Sequence, residues 1–239
     1  EMSKKYEFTG KEKKVLGLTL KQIVCVTAFA AISVGDTGGW IESESNLDQS
    51  GDAWVYGNAR VYGNARVSDN AQVSGNAWVF GNAQVSGNAR VYGNARVYGN
   101  ARVSGNTWVY GDARVYGDAR VAGNAQVFGD AQVYGNAQVS GNAQVFGNTW
   151  VYGNARVSGN AEVSGDAEVL TKKAITINSN NYHVTITDTH ITIGCQNHKK
   201  DFWESAEFDD IKEIDGESSA MAFMEFKPFI MKLAGIEGY

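Results

Sequence analysis

Gly87-Asn88-Ala89-Arg90-Val91-Tyr92-Gly93-Asn94-Ala95-Arg96-Val97-Tyr98 is one six-residue phrase written twice, and close variants of it run without a gap from Gly51 to about Ala174. Valine recurs at 55, 61, 67 and every sixth position up to 169, twenty times in all. Two places before each valine stands Ala, replaced only by Thr107 and Thr149. Four places before stands Gly, with Asp69 the single exception. A period this strict outranks any local propensity in deciding architecture. Six residues match neither the 3.6 of a helix nor the 2 of a plain strand. They match a solenoid of short strands joined by tight corners, each coil stacked on the last. Gly-Asn and Gly-Asp supply corners because they tolerate positive φ. Valine points inward from the strand triplet, its two neighbours point outward, and only a small Ala fits the corner.

Sorting the residue after each valine reveals the coil length. One column is small: Ser68, Ser86, Ser104, Ala122, Ser140, Ser158. A second is aromatic: Tyr62, Phe80, Tyr98, Tyr116, Tyr134, Tyr152, closing with Leu170. The third is mixed: Tyr56, Ser74, Tyr92, Tyr110, Phe128, Phe146, Ser164. A period of eighteen therefore lies under the period of six, and three phrases close one turn of triangular cross-section. At strand spacings of about 4.8 Å, the repeats make six to seven coils, a prism roughly 30 Å long.

Valine followed four places later by Ala, with Gly-Asn between, resembles the hexapeptide repeat of left-handed parallel β-helices. The period does not give the hand. Parallel crossovers are usually right-handed, so the left hand is what the resemblance implies. The expected fold is thus an all-β solenoid, a left-handed parallel β-helix over 51–174. A β cap precedes it over 1–50, and a hairpin with helices follows over 175–239 as cap or oligomerisation element.

The 239 residues carry a formal charge of −5. All eight arginines lie between 51 and 170, where no lysine does, and eight acids balance them, so the acid excess belongs to the segment after 174. No basic block announces nucleic-acid binding. Cys25 and Cys195 make no disulfide scaffold, and a reducing interior is the simpler reading. The apolar run Ile23–Val34 imitates a signal peptide, yet it is too short to span a bilayer and continues straight into the solenoid. A cytoplasmic protein without a membrane segment is expected.

In the cap, Tyr6–Thr9, Val15–Thr27 and Ala31–Val34 form strand-like runs whose task is to cover the open edge of the first coil. Gly35-Asp-Thr-Gly-Gly-Trp40 reads as a turn leading into a strand at Trp40–Glu42. Gly-rich stretches also cradle phosphate, but no helix follows this one. The lead-in from Gly35 to Leu47 before a Gly-Asn-Ala array is similar to uncharacterised phage and prophage hexapeptide proteins, and the tail from Thr187 to His198 is similar to them too. That resemblance supplies a setting rather than an activity. After Val169 the phrase decays. Tyr182–Thr187 and His190–Gly194 alternate as a hairpin around Asp188-Thr189. Helices are expected near Phe202–Ala206, Phe208–Ile214 and Ser218–Leu233, the last bent or split at Pro228. Its apolar face covers the last coil or contacts a second subunit.

Hexapeptide solenoids include acyltransferases, and members of that class resemble one another in a catalytic His at a subunit groove and a loop extruded from the coils. Here residues 51–174 contain no histidine and no inserted loop. The three histidine ligands of the related carbonic anhydrases are missing as well. No enzymatic activity and no cofactor are therefore expected. His183, His190, Cys195 and His198 form a weak zinc candidate through the Cys-x-x-His spacing. Against it, a hairpin places His183 and His190 at opposite ends of one face and Cys195 on the other, so a buried Cys and a hydrogen-bonded His are the alternative.

The surface remains. The candidate partner-binding residues are Tyr62, Trp78, Phe80, Arg96, Tyr98, Arg114, Tyr116, Tyr134, Trp150 and Tyr152, with further arginines and Trp54 and Trp108 beside the ladders. In-register stacking explains aromatic columns as a source of stability, while outward apolar area marks interaction sites. The expected function is a phage- or prophage-derived binding protein that engages and inhibits a host defence protein through a ladder face or the acidic C-terminal region. A small-ligand or nucleotide-sequestering protein is the alternative, since rings stack bases and arginine grips phosphate. A structural virion component is the third reading. All three accommodate a homo-oligomer, dimer or trimer.

Overall fold

The computed structural model describes residues 4–170, 174–178 and 183–236, with the side chains of 176–178 and 183 left out; Tyr182 of the expected hairpin lies outside them. Twenty two-residue rungs, β4 (Trp54–Val55) through β23 (Glu168–Val169), carry one repeat valine each. Every rung pairs in parallel with the rung eighteen residues away, as Arg90 does with both Gln72 and Trp108. Three faces result, and their sheets contain ten, seven and six strands. Valine and Ala fill the interior with no solvent exposure. The expected triangular parallel solenoid is therefore what the chain forms.

Backbone bonds run straight up the prism: Arg96 N to Ala113 O, Tyr98 N to Val115 O and Asn100 N to Gly117 O, at 2.8–3.0 Å. Corner asparagines add a second ladder. Each Nδ2 donates to the Oδ1 one coil on, from Asn70 to Asn88 at 2.9 Å and onward to Asn160. Asp69 shows why it can replace a glycine. It adopts the left-handed φ of 59°, and its Oδ2 accepts a hydrogen bond from Gly87 N at 2.8 Å.

The N-terminal segment is less a lid than a continuation of one face. β1 (Tyr6–Val15) and β2 (Leu18–Cys25) form an antiparallel hairpin, and β3 (Thr37–Ile41) pairs antiparallel with β2. β3 then pairs in parallel with β5 (Arg60–Val61), through Ile41 and Val61. Leu47 bridges Val67, so Ile41, Leu47 and Val55 occupy the valine places of a first coil. Asn46 fixes its corner: Nδ2 donates to Gly63 O and Ala65 O, and Oδ1 accepts from Glu42 N and Ser43 N. The outermost strand, β1, carries Lys11, Lys13 and Lys14 and breaks register between Phe8 and Glu12, features that discourage edge-to-edge pairing. Ala31–Val34 is not a strand; only Phe29 and Ile32 bridge there, because the chain must turn back toward β3.

After the last rung, β24 (Ile175–Asn178), β25 (His183–Ile186), β26 (His190–Ile193) and β27 (Gln196–Lys199) make an antiparallel sheet. Its alternation assigns the two faces. Val184, Ile186, Ile191 and Ile193 pack against α1 (Lys200–Ser205), α2 (Phe208–Asp215) and α3 (Glu217–Ala234) in a core separate from the solenoid's. The solenoid end is instead bonded by the sheet's polar groups: Thr189 Oγ1 accepts from Glu168 N, and Asn197 Nδ2 donates to Ser164 O at 2.7 Å. So α3 does not cover the last coil; the sheet does, and α3 packs on the sheet's other side. Nor does Pro228 split α3, which runs unbroken through it. Lys227, almost fully buried, ties the helix down by donating to Ala206 O at 2.8 Å.

Candidate functional site

The aromatic face arises because parallel, in-register pairing sets each side chain directly over its counterpart eighteen residues away. Tyr62, Phe80, Tyr98, Tyr116, Tyr134 and Tyr152 stack with centroids 4.8–5.1 Å apart and planes within 8°. Beside them, Trp78 lies between two guanidinium groups, Arg60 at 4.8 Å and Arg96 at 5.3 Å from its ring. Stacking has a cost to accessibility. Each ring covers the next, Tyr62 is buried and the other five are only partly exposed. Burial accordingly raises the hydroxyl pKa of Tyr62, Tyr116, Tyr134 and Tyr152, and a hydrogen bond to Glu168 adds to the effect at Tyr152. Arg96 and Arg114 are exposed on neighbouring rungs, and Trp150 stands 43% exposed further up. The ten ladder residues singled out from sequence thus share one face. Trp54, on the mixed face, does not project outward: it is 1% exposed beneath Phe29 and Tyr6 of the N-terminal segment.

The metal candidate does not assemble. Among the described residues no three His, Cys, Asp or Glu side chains are grouped to hold an ion. His190 is buried and hydrogen-bonded through Nδ1 to Thr189 Oγ1, and burial lowers its pKa. His198 stacks on Phe202 at 4.1 Å, and burial lowers its pKa too. The side chain of His183 lies outside the described ones. Cys195 is exposed rather than buried, because it follows Gly194 in the turn between β26 and β27 instead of occupying a strand face.

A feature missed in the sequence lies in the C-terminal core. A cavity of about 430 Å³ opens between the four-stranded sheet and the helices, walled by Val184, Ile193, Trp203, Phe223, Phe226 and Ile230. That volume is within the ordinary range of ligand sites, about 300–1,000 Å³. Gln196, Asp215 and Ser219 are its polar members. At its mouth Phe226 is 49% and Phe229 54% exposed. The signal was present. Ala220, Phe223, Lys227, Ile230, Met231 and Ala234 are the buried positions of α3, so Met221, Phe226 and Phe229 are apolar residues left over on its open side.

Three in-register faces wound from an eighteen-residue coil define a β-solenoid repeat protein. Its coils match the family model described as YdcK Beta solenoid repeat at residues 53–69, 59–75, 71–85, 83–97, 95–111, 113–129, 131–145, 137–153 and 150–165. A stretch of 51 residues is 39% identical to a protein of Escherichia coli (strain K12) named "Uncharacterized acetyltransferase YdcK", over 21% of this chain and 15% of that relative. This likeness overturns the expectation that the chain is not an enzyme, which rested on the absence of histidines and of an inserted loop in the coils. No helix among the described residues is long and apolar enough to cross a membrane.

Proposed function

We propose that the protein acts by binding another protein through the C-terminal cavity, with the solenoid as a rigid arm that presents it. The observation that carries this reading is the apolar cavity of about 430 Å³ with two half-exposed phenylalanines at its mouth. Exposed apolar surface next to a concave apolar site is what interaction surfaces look like. Covering two such rings is worth about 1–2 kcal/mol each at ~25 cal/mol per Å². Asp215 lines the cavity, and Glu213 and Glu225 lie on the same two helices, where Glu217 is paired with Lys212, so an apolar anchor flanked by basic residues is the complementary partner. The resemblance of the lead-in and tail to phage and prophage proteins favours a host protein, with inhibition of host defence as the consequence. The test is a pull-down from host lysate using the wild type, a Phe226→Asp/Phe229→Asp double variant and a Trp150→Ala variant. A protein retained by wild type and Trp150→Ala but lost from the double variant is expected. Equal recovery by all three would sink the reading.

A second reading, acyl transfer, rests on the likeness of the repeats to those of a protein named an acetyltransferase. It is tested by incubating the protein with acetyl-coenzyme A and small-molecule extracts and following thiol release. No turnover above the blank removes it.

A further inference from the structure

The mixed face carries a ladder interrupted at Ser74. Tyr92, Tyr110, Phe128 and Phe146 stack at 4.8–4.9 Å with planes within 5°. One rung below Tyr92 stands Ser74, and one rung below that stands Tyr56, as the bonds Ser74 N to Val91 O and Tyr56 N to Val73 O establish. The column therefore breaks for a single step between two tyrosines. On the Tyr92 side of the break lies an open groove of about 350 Å³, lined by Gln72, Ser74, Arg90, Tyr92 and Trp108.

We propose that this gap is a binding slot for the base of a nucleoside phosphate, stacked on Tyr92 in the ladder's own register with its phosphate on Arg90. Two rungs at about 4.8 Å each leave the height of one planar ring between the Tyr56 and Tyr92 positions. The rings above show that the backbone imposes that stacking distance without a ligand. Arg90 is exposed, makes no ion pair among the described residues and lies over the Trp108 ring at 5.7 Å. Its charge acts on the hydroxyls of both Tyr56 and Tyr92, opposing the burial that raises their pKa, so it sits within reach of both sides of the break. A guanidinium free of carboxylates is a phosphate ligand. The side chains of Gln72 and Ser74 have no hydrogen-bond partner among the described residues and are available to a base edge. The other serine of this column differs. Ser164, above Phe146, is buried and its carbonyl is bonded by Asn197, so the chain itself fills that end. Serines of the small face have no ring above or below them. The groove is near the lower limit of ligand-site volumes, which suits a mononucleotide.

Calorimetry with AMP, adenosine and inorganic phosphate on the full chain tests the slot. Wild type is expected to bind AMP more tightly than either fragment. Ser74→Tyr, which supplies the missing ring, is expected to melt no lower than wild type and to bind AMP at least about tenfold more weakly. Arg90→Gln is expected to weaken AMP roughly tenfold while leaving adenosine unchanged. If Ser74→Tyr does not fold, Tyr92→Leu removes the stacking platform and reads the same point. Absence of AMP binding by wild type at concentrations up to about 5 mM, below the weak end of useful affinity, overturns the proposal. So does undiminished binding by a folded Ser74→Tyr or Tyr92→Leu variant, or by Arg90→Gln.

Discussion

Gly141 and Gly159, one coil apart, approach so closely that a Cβ on Gly141 would stand 2.8 Å from both the amide nitrogen and the carbonyl oxygen of Gly159. Gly141 also has a φ of 71°, which costs a side chain about 1 kcal/mol or more. Gly57 has the same kind of φ, 54°, but nothing within 4 Å of its Cβ position. Gly141→Ala is therefore expected to cost about 2–4 kcal/mol and Gly57→Ala about 1 kcal/mol. Denaturant melts of the two variants measure the difference, and equal losses would show that torsion alone, not the close approach, sets the corner.

Thr107 and Thr149 stand where every other corner has Ala, and both hydroxyls are buried without a partner among the described residues. An orphaned buried hydroxyl costs about 1–3 kcal/mol. Replacing Thr107 by Val keeps the shape and removes that cost. The melting temperature should rise, and a fall of several degrees would mean that the hydroxyl is hydrogen-bonded in solution.

Asn46 accounts for four hydrogen bonds in the first corner. Asn46→Ala strands the carbonyls of Gly63 and Ala65 and the Ser43 amide, while Glu42 N keeps its bond to Val61 O, and should lose about 2–4 kcal/mol. Because this corner joins the N-terminal strands to the coils, the loss should appear first as faster amide exchange in β3, measured by hydrogen exchange.

Lys5 is buried, and its Nζ donates to Ala53 O at 2.9 Å and to Ser50 O and Gly51 O. Burial lowers its pKa to about 8 from 10.5. Between those values the folded chain holds fewer protons than the unfolded one, so this group makes stability climb as pH rises. Below pH 8 both states hold the proton, and the full cost of burying the charge applies. Thermal melts of wild type and Lys5→Met should therefore diverge in favour of wild type from pH 7 to 10. A constant difference would show that Lys5 keeps an ordinary pKa.

Legibility followed the repeat. The three columns could be written down from residues 51–170, because in parallel in-register stacking the neighbour of residue i is always residue i+18; Tyr98 on Tyr116 is one instance. The helices near Phe202, Phe208 and Ser218 were also legible, from the apolar pattern of the segment. Exposure was not. Trp54 and Trp150 occupy the same place in the phrase, yet one is under Phe29 and the other in solvent. The phrase has no term for what the N-terminal segment lays over it. The ladder rings looked like open apolar area, but each one shields the next.

Sequence alone determined the solenoid, its eighteen-residue coil and the chemistry of each face. A strict period confines every repeat to one conformation, and stacking identical units leaves no freedom of register. Only the tertiary structure decided that the N-terminal hairpin extends a face, that a sheet rather than α3 closes the last coil, and that an apolar cavity opens beneath Phe226 and Phe229. Those outcomes depend on contacts between segments that share no period, where burial of apolar surface against whatever lies opposite chooses the arrangement.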